Sequence, residues 1–436
     1  MSLIHSSFLP ISPLTITSTD QETLRQLAGQ VAELATRPIE AEKRQLWIDH
    51  NALRPTRPVI FCDPENSWNE IIPQRSLKCQ GELARAWEWS LRREIFWGRE
   101  MKDDRTILPY FDISHVHSEW DWGAHETKIG GGEGGAYTWV SPIKNESDLQ
   151  KLHFPILRID YTATERLADL AHTILGDLLT VRVKTSWWWT LGMTWTLANL
   201  RGLEQIMLDM LDNPELIHRL MKLLSDGTLA LITELEKKEL LYPNWEGTYV
   251  GSGGLGWSDE LPQEDRLSSS GEIEGNLQLK RENPTRMLDM WGFAESQETT
   301  SVSPRMFAEF IFPYQLPILE KFGLNCYGCC EPLDKRWQVV QQIPRLRRVS
   351  MSPWANYAKM VEQLGTNYVF SLKPNPADLA LDTFDEEYQR GVIHKNLFTT
   401  RNCRVELVMK DNHTIRNDPR RVVRWVQLAR EEIEKL

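Results

Sequence analysis

From residue 324 to the C-terminus, the apolar runs LNCYGCC, RRVSMSP, NYVFSLKP and VELVMK alternate with stretches of helical pattern at 334–342, 355–364, 383–391 and 418–435. Short runs that are apolar on both faces, each followed by a helix, describe parallel strands joined by helical crossovers. The same rhythm runs through the N-terminal part, in RPVIFCDP (57–64), RTILPYFDISHV (105–116) and LLTVRVKTSWWW (178–189). Helical stretches at 20–50, 81–101 and 162–178 lie around them, and no internal repeat is visible. Roughly eight such units, in a chain longer than the usual barrel, predict a (β/α)8 TIM barrel with long loop insertions. Residues 1–55 then form an N-terminal helical extension and 56–436 the barrel. A doubly wound open sheet is the alternative, but the chain lacks a dinucleotide-binding fingerprint.

Two long segments interrupt the rhythm. Residues 117–140 carry GGGEGG and no periodicity, which suits a functional loop or a lid. The run does not end in Gly-Lys-Ser/Thr, and Glu133 would repel a phosphate. Residues 243–285 form a second loop-rich region. With a net charge of −11, neither nucleic acid nor an anionic membrane surface is the expected partner. No apolar run reaches the ~20 residues that span a bilayer, and MSLIHSSFLPISPL lacks the pattern of a signal peptide. Six cysteines in 436 residues are too few and too clustered for a disulfide framework, so a reducing cytoplasm is expected.

Three of those cysteines lie within five residues, in LNCYGCCEPLDKRW (324–337). If 324–331 is extended, Asn325, Tyr327, Cys329 and Glu331 share one face. Cys329 and Cys330 then share an ion only if the strand has ended at Cys329. A catalytic zinc site needs thiolate, imidazole or carboxylate ligands and one open position. Cys329 with Glu331, completed by His413 or Asp411 in VMKDNHT, would supply it. The competing readings are a buried cysteine acting as a small apolar residue and a redox pair, Cys326 with Cys329, whose spacing ordinarily opens a helix. Asp112, in FDISHV, is either a site residue or an acceptor for loop amides. Lys410, Asp411 and His413 could equally be a loop that satisfies itself.

Tryptophan is abundant, at 18 residues. Trp120 and Trp122 fall on the long loop, and Trp187, Trp188 and Trp189 close a strand. Consecutive strand residues point both ways, so at least one of the three faces the barrel mouth. Such an aromatic wall stacks flat ligands or surrounds a methylated cation. Packing between loops and barrel is the competing use. Trp120, Trp122 and Trp188, with Glu295 in AESQETT, are the expected substrate-binding residues.

Several segments resemble the uroporphyrinogen decarboxylase superfamily. TWTLANLRGLEQIMLDMLDNPELIHRLMKLLSD is similar to a strand-to-helix segment of that family. ESQETTSVSPRMFAEFIFPYQLPILEKF is similar to its segment ending in a Pro-Tyr helix, and FSLKPNPADLA to a conserved turn. The resemblance implies a (β/α)8 barrel and either of two activities. Decarboxylase members carry arginines after the first strand, where this chain reads FCDPENSWNEIIP, although Asp112 matches their central aspartate. A polycarboxylate held by no cation would bind poorly. The zinc-dependent, corrinoid-linked methyltransferases carry His-x-Cys on a strand. Here YGC (327–329) falls on that place, Cys329 matching the cysteine and Tyr327 replacing the histidine.

The expected function is methyl transfer from a small O- or N-methylated compound to a corrinoid protein or a thiol. Zinc on Cys329, Glu331 and His413 would activate the leaving atom, with Asp112 or Tyr327 relaying a proton. A metal-independent decarboxylase anchored by Asp112 is the first alternative. A barrel that binds ligand without chemistry is the second.

Overall fold

The computed structural model describes residues 16–130, 137–261 and 284–436. The N-terminal sequence, the center of the glycine run with Glu133, and most of the second loop-rich region lie outside the described residues. Eight parallel-paired strands organise the chain: β1 (Val59–Cys62), β2 (Tyr110–Ile113), β3 (Thr180–Val183), β4 (Trp291–Ala294), β5 (Leu324–Tyr327), β6 (Leu346–Met351), β7 (Val369–Leu372) and β8 (Arg404–Met409). Six of them form one parallel sheet in the order β1-β8-β7-β6-β5-β4, and β2 pairs in parallel with β3. Helices follow most strands, as the alternation requires.

The molecule is thus an α/β protein with a six-stranded parallel sheet, an arrangement compatible with a barrel. No strand ladder closes the ring among the described residues. Beside β1, Asp104 N donates to Ile60 O at 2.9 Å, and beside β4, Leu191 N donates to Phe293 O at 2.9 Å. Trp291, Phe293, Leu324 and Cys326 of β4 and β5 form a small buried cluster with Val250 and Leu261.

Several boundaries depart from the sequence pattern for identifiable reasons. The stretch 20–50 is two helices, Ser18–Ala35 and Pro38–Asn51, because Pro38 suits a first helical turn and not an interior. The first is capped by Thr17, whose Oγ1 accepts from Asp20 N at 3.2 Å. The helical stretch 304–323 divides just before Pro313, as a proline in a helical pattern requires, into Pro304–Phe310 and Phe312–Leu319. The loop 117–140 contains a short antiparallel pair, Thr127–Gly130 with Tyr137–Val140. Among the described residues, no helix is long and apolar enough to cross a membrane.

Register decides where the chemistry can sit. Cys62 lies level with Met409, Leu407 with Leu372, Leu372 with Met351, and Tyr327 with Ala294. The residues that follow these strand ends therefore share one edge of the sheet: Asp63, Glu295, Cys329, Ser352, Lys373 and Lys410.

Candidate active site

β5 closes at Tyr327 because Gly328 turns into the left-handed region at φ +96°. The strict alternation expected through Glu331 is broken there, and Cys329 begins a turn. The two oxygens of Glu331 accept backbone amides, Oε1 from Ser296 N at 2.8 Å and Oε2 from Cys329 N at 2.9 Å. Cys329 is 2% exposed, with its Sγ 3.6 Å from Cys330 Sγ. That contact and burial hold the Cys329 thiol well above its ordinary pKa. All six cysteines are free.

The ligands expected for zinc are not brought together. Glu331 is turned onto amides, and His413 is exposed, with Nδ1 3.2 Å from Asn66 Nδ2. Asp411 contacts Lys410 at 3.3 Å. Among the described residues, no three His, Cys, Asp or Glu side chains are grouped to hold a metal ion. The donor set, so placed, does not fit zinc.

What the edge does hold is a buried acid cluster at the ends of β4 and β5. Glu295 is fully buried, accepting from Gln297 N at 2.9 Å and from Thr190 Oγ1 at 3.3 Å. Burial, then the neighbouring Glu298 and Glu331, raise its pKa well above the carboxylate range. Glu298 is half-buried and accepts from Thr194 Oγ1 at 2.6 Å. Burial raises its pKa too, against the pull of that hydrogen bond. Burial thus shifts both carboxyls toward their protonated forms.

The segment Trp189–Trp195 wraps this pair. Thr190 and Thr194 reach the two carboxyls, and Gly192 passes so close that a Cβ there would stand 2.3 Å from Glu295 O. Trp189, at 40% exposure, packs edge-on to Phe293 at 5.6 Å. Trp195 is exposed and lies 6.0 Å from Trp139. Trp189 and Trp195, next in sequence to the two threonines that reach the carboxyls, are exposed aromatic side chains of this segment.

The tryptophans expected to bind substrate are placed differently. Trp122 is buried against Gly227, where a Cβ would meet its ring at 2.6 Å. Trp188 is half-buried, 6.5 Å from Trp120 and 6.1 Å from Phe322. The three tryptophans at 187–189 lie beyond β3, so strand alternation does not govern them.

No protein-family model matches the chain, and no curated protein matches it. Among the solved structures that match the chain is a methyltransferase from Methanosarcina mazei, 9% identical, with a TM-score of 0.47 over 90% of this chain and 99% of that one.

Tyr327 and Asp112 are both committed to partners. Tyr327 is fully buried and donates to Gln315 Oε1 at 2.8 Å, while Gln315 Nε2 donates to Gly192 O and Glu295 O at 2.7 and 2.8 Å. That chain fixes the backbone on both sides of the acid pair. Asp112 takes both arms of Arg182, at 2.6 and 2.8 Å, and Arg182 also lies 3.7 Å over the Tyr110 ring. Across the edge, Lys410 is buried 3.0 Å from Glu65 Oε1. Burial opposes its charge, but Tyr249, Glu65 and Asp411 outweigh that and raise its pKa.

Glu298, Trp195, Arg182 and Lys373 are not singled out by the sequence pattern, which offers Trp189 only as one of three consecutive tryptophans. A usable signal existed for Lys373: a single cation closing the apolar run VFSL, just before Pro374.

Proposed function

We propose that β2 and β3 complete a (β/α)8 barrel with the six-stranded sheet, behind a helical extension at 1–55, and that the chain is a methyltransferase. It takes a methyl group from a small O- or N-methylated compound and passes it to a thiol or to the corrinoid of a partner protein in the cytoplasm. The observation that carries this reading is the Glu295–Glu298 pair, reached by Thr190 and Thr194 from a segment that also carries the exposed Trp189 and Trp195. When a methyl group leaves an ether, the oxygen it leaves gains electron density and takes up a proton, whereas a quaternary ammonium departs as the neutral amine and needs none. Glu298, half-buried, stands at the outer side of the pair and hands over the proton. Glu295, sealed behind it, supplies the next. Trp189 and Trp195 give flat surfaces for an aromatic ether or a methylated ammonium group, at about 0.5–2 kcal/mol each. The resemblance of YGC (327–329) to the methyltransferase branch supports the same assignment, without requiring its zinc.

The test is product analysis with methoxylated aromatics and methylated amines, using reduced cobalamin or a small thiol as acceptor. Transfer of the methyl group to either acceptor, lowered ~10²–10⁴-fold in Glu298→Gln, supports the assignment. Absence of transfer from every donor removes it.

A second reading, a metal-independent lyase, is favoured by one observation. Asp112 is not a bare acid but is paired with Arg182, a guanidinium on the neighbouring strand β3. Released carbon dioxide from small carboxylic acids would identify that reaction.

A further inference from the structure

On the side of the edge away from the acid pair, Lys373 follows β7 with its side chain only 3% exposed. Its backbone is tied on both sides, N to Met351 O at 3.0 Å and O to the Tyr357 hydroxyl at 3.1 Å. Its ammonium donates to Ser350 Oγ, and Ser350 in turn donates to Cys329 O at 3.2 Å. Among the described residues, no carboxylate lies within ion-pair distance of Lys373. Glu406, the carboxylate that acts on it from below, is held by Arg348 at 3.1 Å.

A buried ammonium without a counter-ion costs several kcal/mol. Two escapes exist: the amine sheds its proton, or a ligand supplies an anion. The surroundings favour the first. Lys410, held charged by Glu65 and Asp411, adds a second cation nearby. The acids on the neighbouring strand end, Glu65 and Asp411, would repel an incoming anion. Burial and Lys410 both lower the Lys373 pKa, against the pull of Cys329, Cys326 and Glu406. A desolvated lysine beside a second cation is an established way to make an amine nucleophilic. Ser352, which follows β6, adds a fully buried hydroxyl without a partner among the described residues.

We propose that Lys373 is a nucleophilic amine that condenses with the carbonyl group of a small aldehyde or ketone at the carboxyl edge of the sheet. The Nζ lone pair forms the C–N bond as the carbonyl π pair moves to oxygen, which takes a proton. The nitrogen loses its protons as C=N forms and the hydroxyl leaves as water, so amine plus carbonyl gives imine plus one water. No oxidant or reductant enters. Ser352 is the hydroxyl available to hold the oxygen before it departs.

The full-length protein is incubated with acetone, pyruvate or 4-methoxybenzaldehyde, then treated with sodium borohydride, digested and mapped by mass spectrometry. The expected result is one reduced adduct on the peptide containing Lys373, from at least one of the three carbonyls. It is lost in Lys373→Met, whose fold is checked by circular dichroism. No adduct in the wild type, or label scattered over exposed lysines and unchanged in the variant, overturns the proposal. A sulfate-induced rise in melting temperature that vanishes in Lys373→Met, with no adduct from any carbonyl, overturns it in favour of an anion site. The trapping reads Lys373 alone and does not depend on methyl transfer.

Discussion

At the scale of single residues, the account turns on how much water each carboxyl has lost. Glu295 has none around it and Glu298 keeps some, which orders them as store and donor. Because Glu295 holds its proton in the folded state above pH 4.5, where the unfolded chain releases it, stability falls as pH rises from there toward its folded pKa. Glu295→Gln removes that dependence, so urea midpoints at acid and neutral pH should lie closer together in the variant. Trp122 is argued from packing alone, and Trp122→Ala should cost about 3–5 kcal/mol in urea unfolding without changing the transferred methyl product. The sequence made residue types visible but not their partners. Asp112 was legible as an acid on a strand, whereas Arg182 sits 70 positions away and meets it only through the pairing of β2 with β3. Glu331 was read as a ligand because its type and spacing allow it. Only the turn at Gly328 reveals that amides consume both its oxygens.

At the scale of elements, the strands were legible because both their faces are apolar, and the helices because Pro and Asx residues punctuate them. The end of β5 was not, since a glycine in a strand pattern does not announce the sign of its φ. The segment Trp189–Trp195 escaped for a different reason: it has no periodicity, and its role lies in reaching two carboxyls from outside. Gly192 is the tightest point of that wrap. Gly192→Ala should destabilise by about 1–3 kcal/mol and lower methyl transfer, because the backbone of Glu295 must move to admit a methyl group. Thermal unfolding beside turnover checks both.

At the scale of the whole molecule, charge fills the space beneath the edge. Arg348 and Glu406, both fully buried, pair at 3.1 Å, and His50 Nε2 lies 3.6 Å from the same carboxylate. Gly254 N donates to Glu406 at 2.9 Å, which ties the loop after residue 243 to β8. Burial works against the charge on Glu406, but Arg348 and His50 overcome it and bring its pKa down to about 2. The stability it adds is present above pH 4.5 and lost as pH falls from there to about 2. Glu406→Gln leaves Arg348 without its partner and should cost about 3–5 kcal/mol, flattening the acid limb of the unfolding profile. Above this plug, the central claim is that the carboxyl edge stores a proton at neutral pH. The most direct measurement is the infrared difference spectrum between wild type and Glu295→Gln at pH 7, repeated in heavy water. A carbonyl stretch of a protonated carboxylic acid, shifted by deuterium and absent in the variant, is predicted. A difference spectrum with only the two stretches of an ionised carboxylate would contradict it.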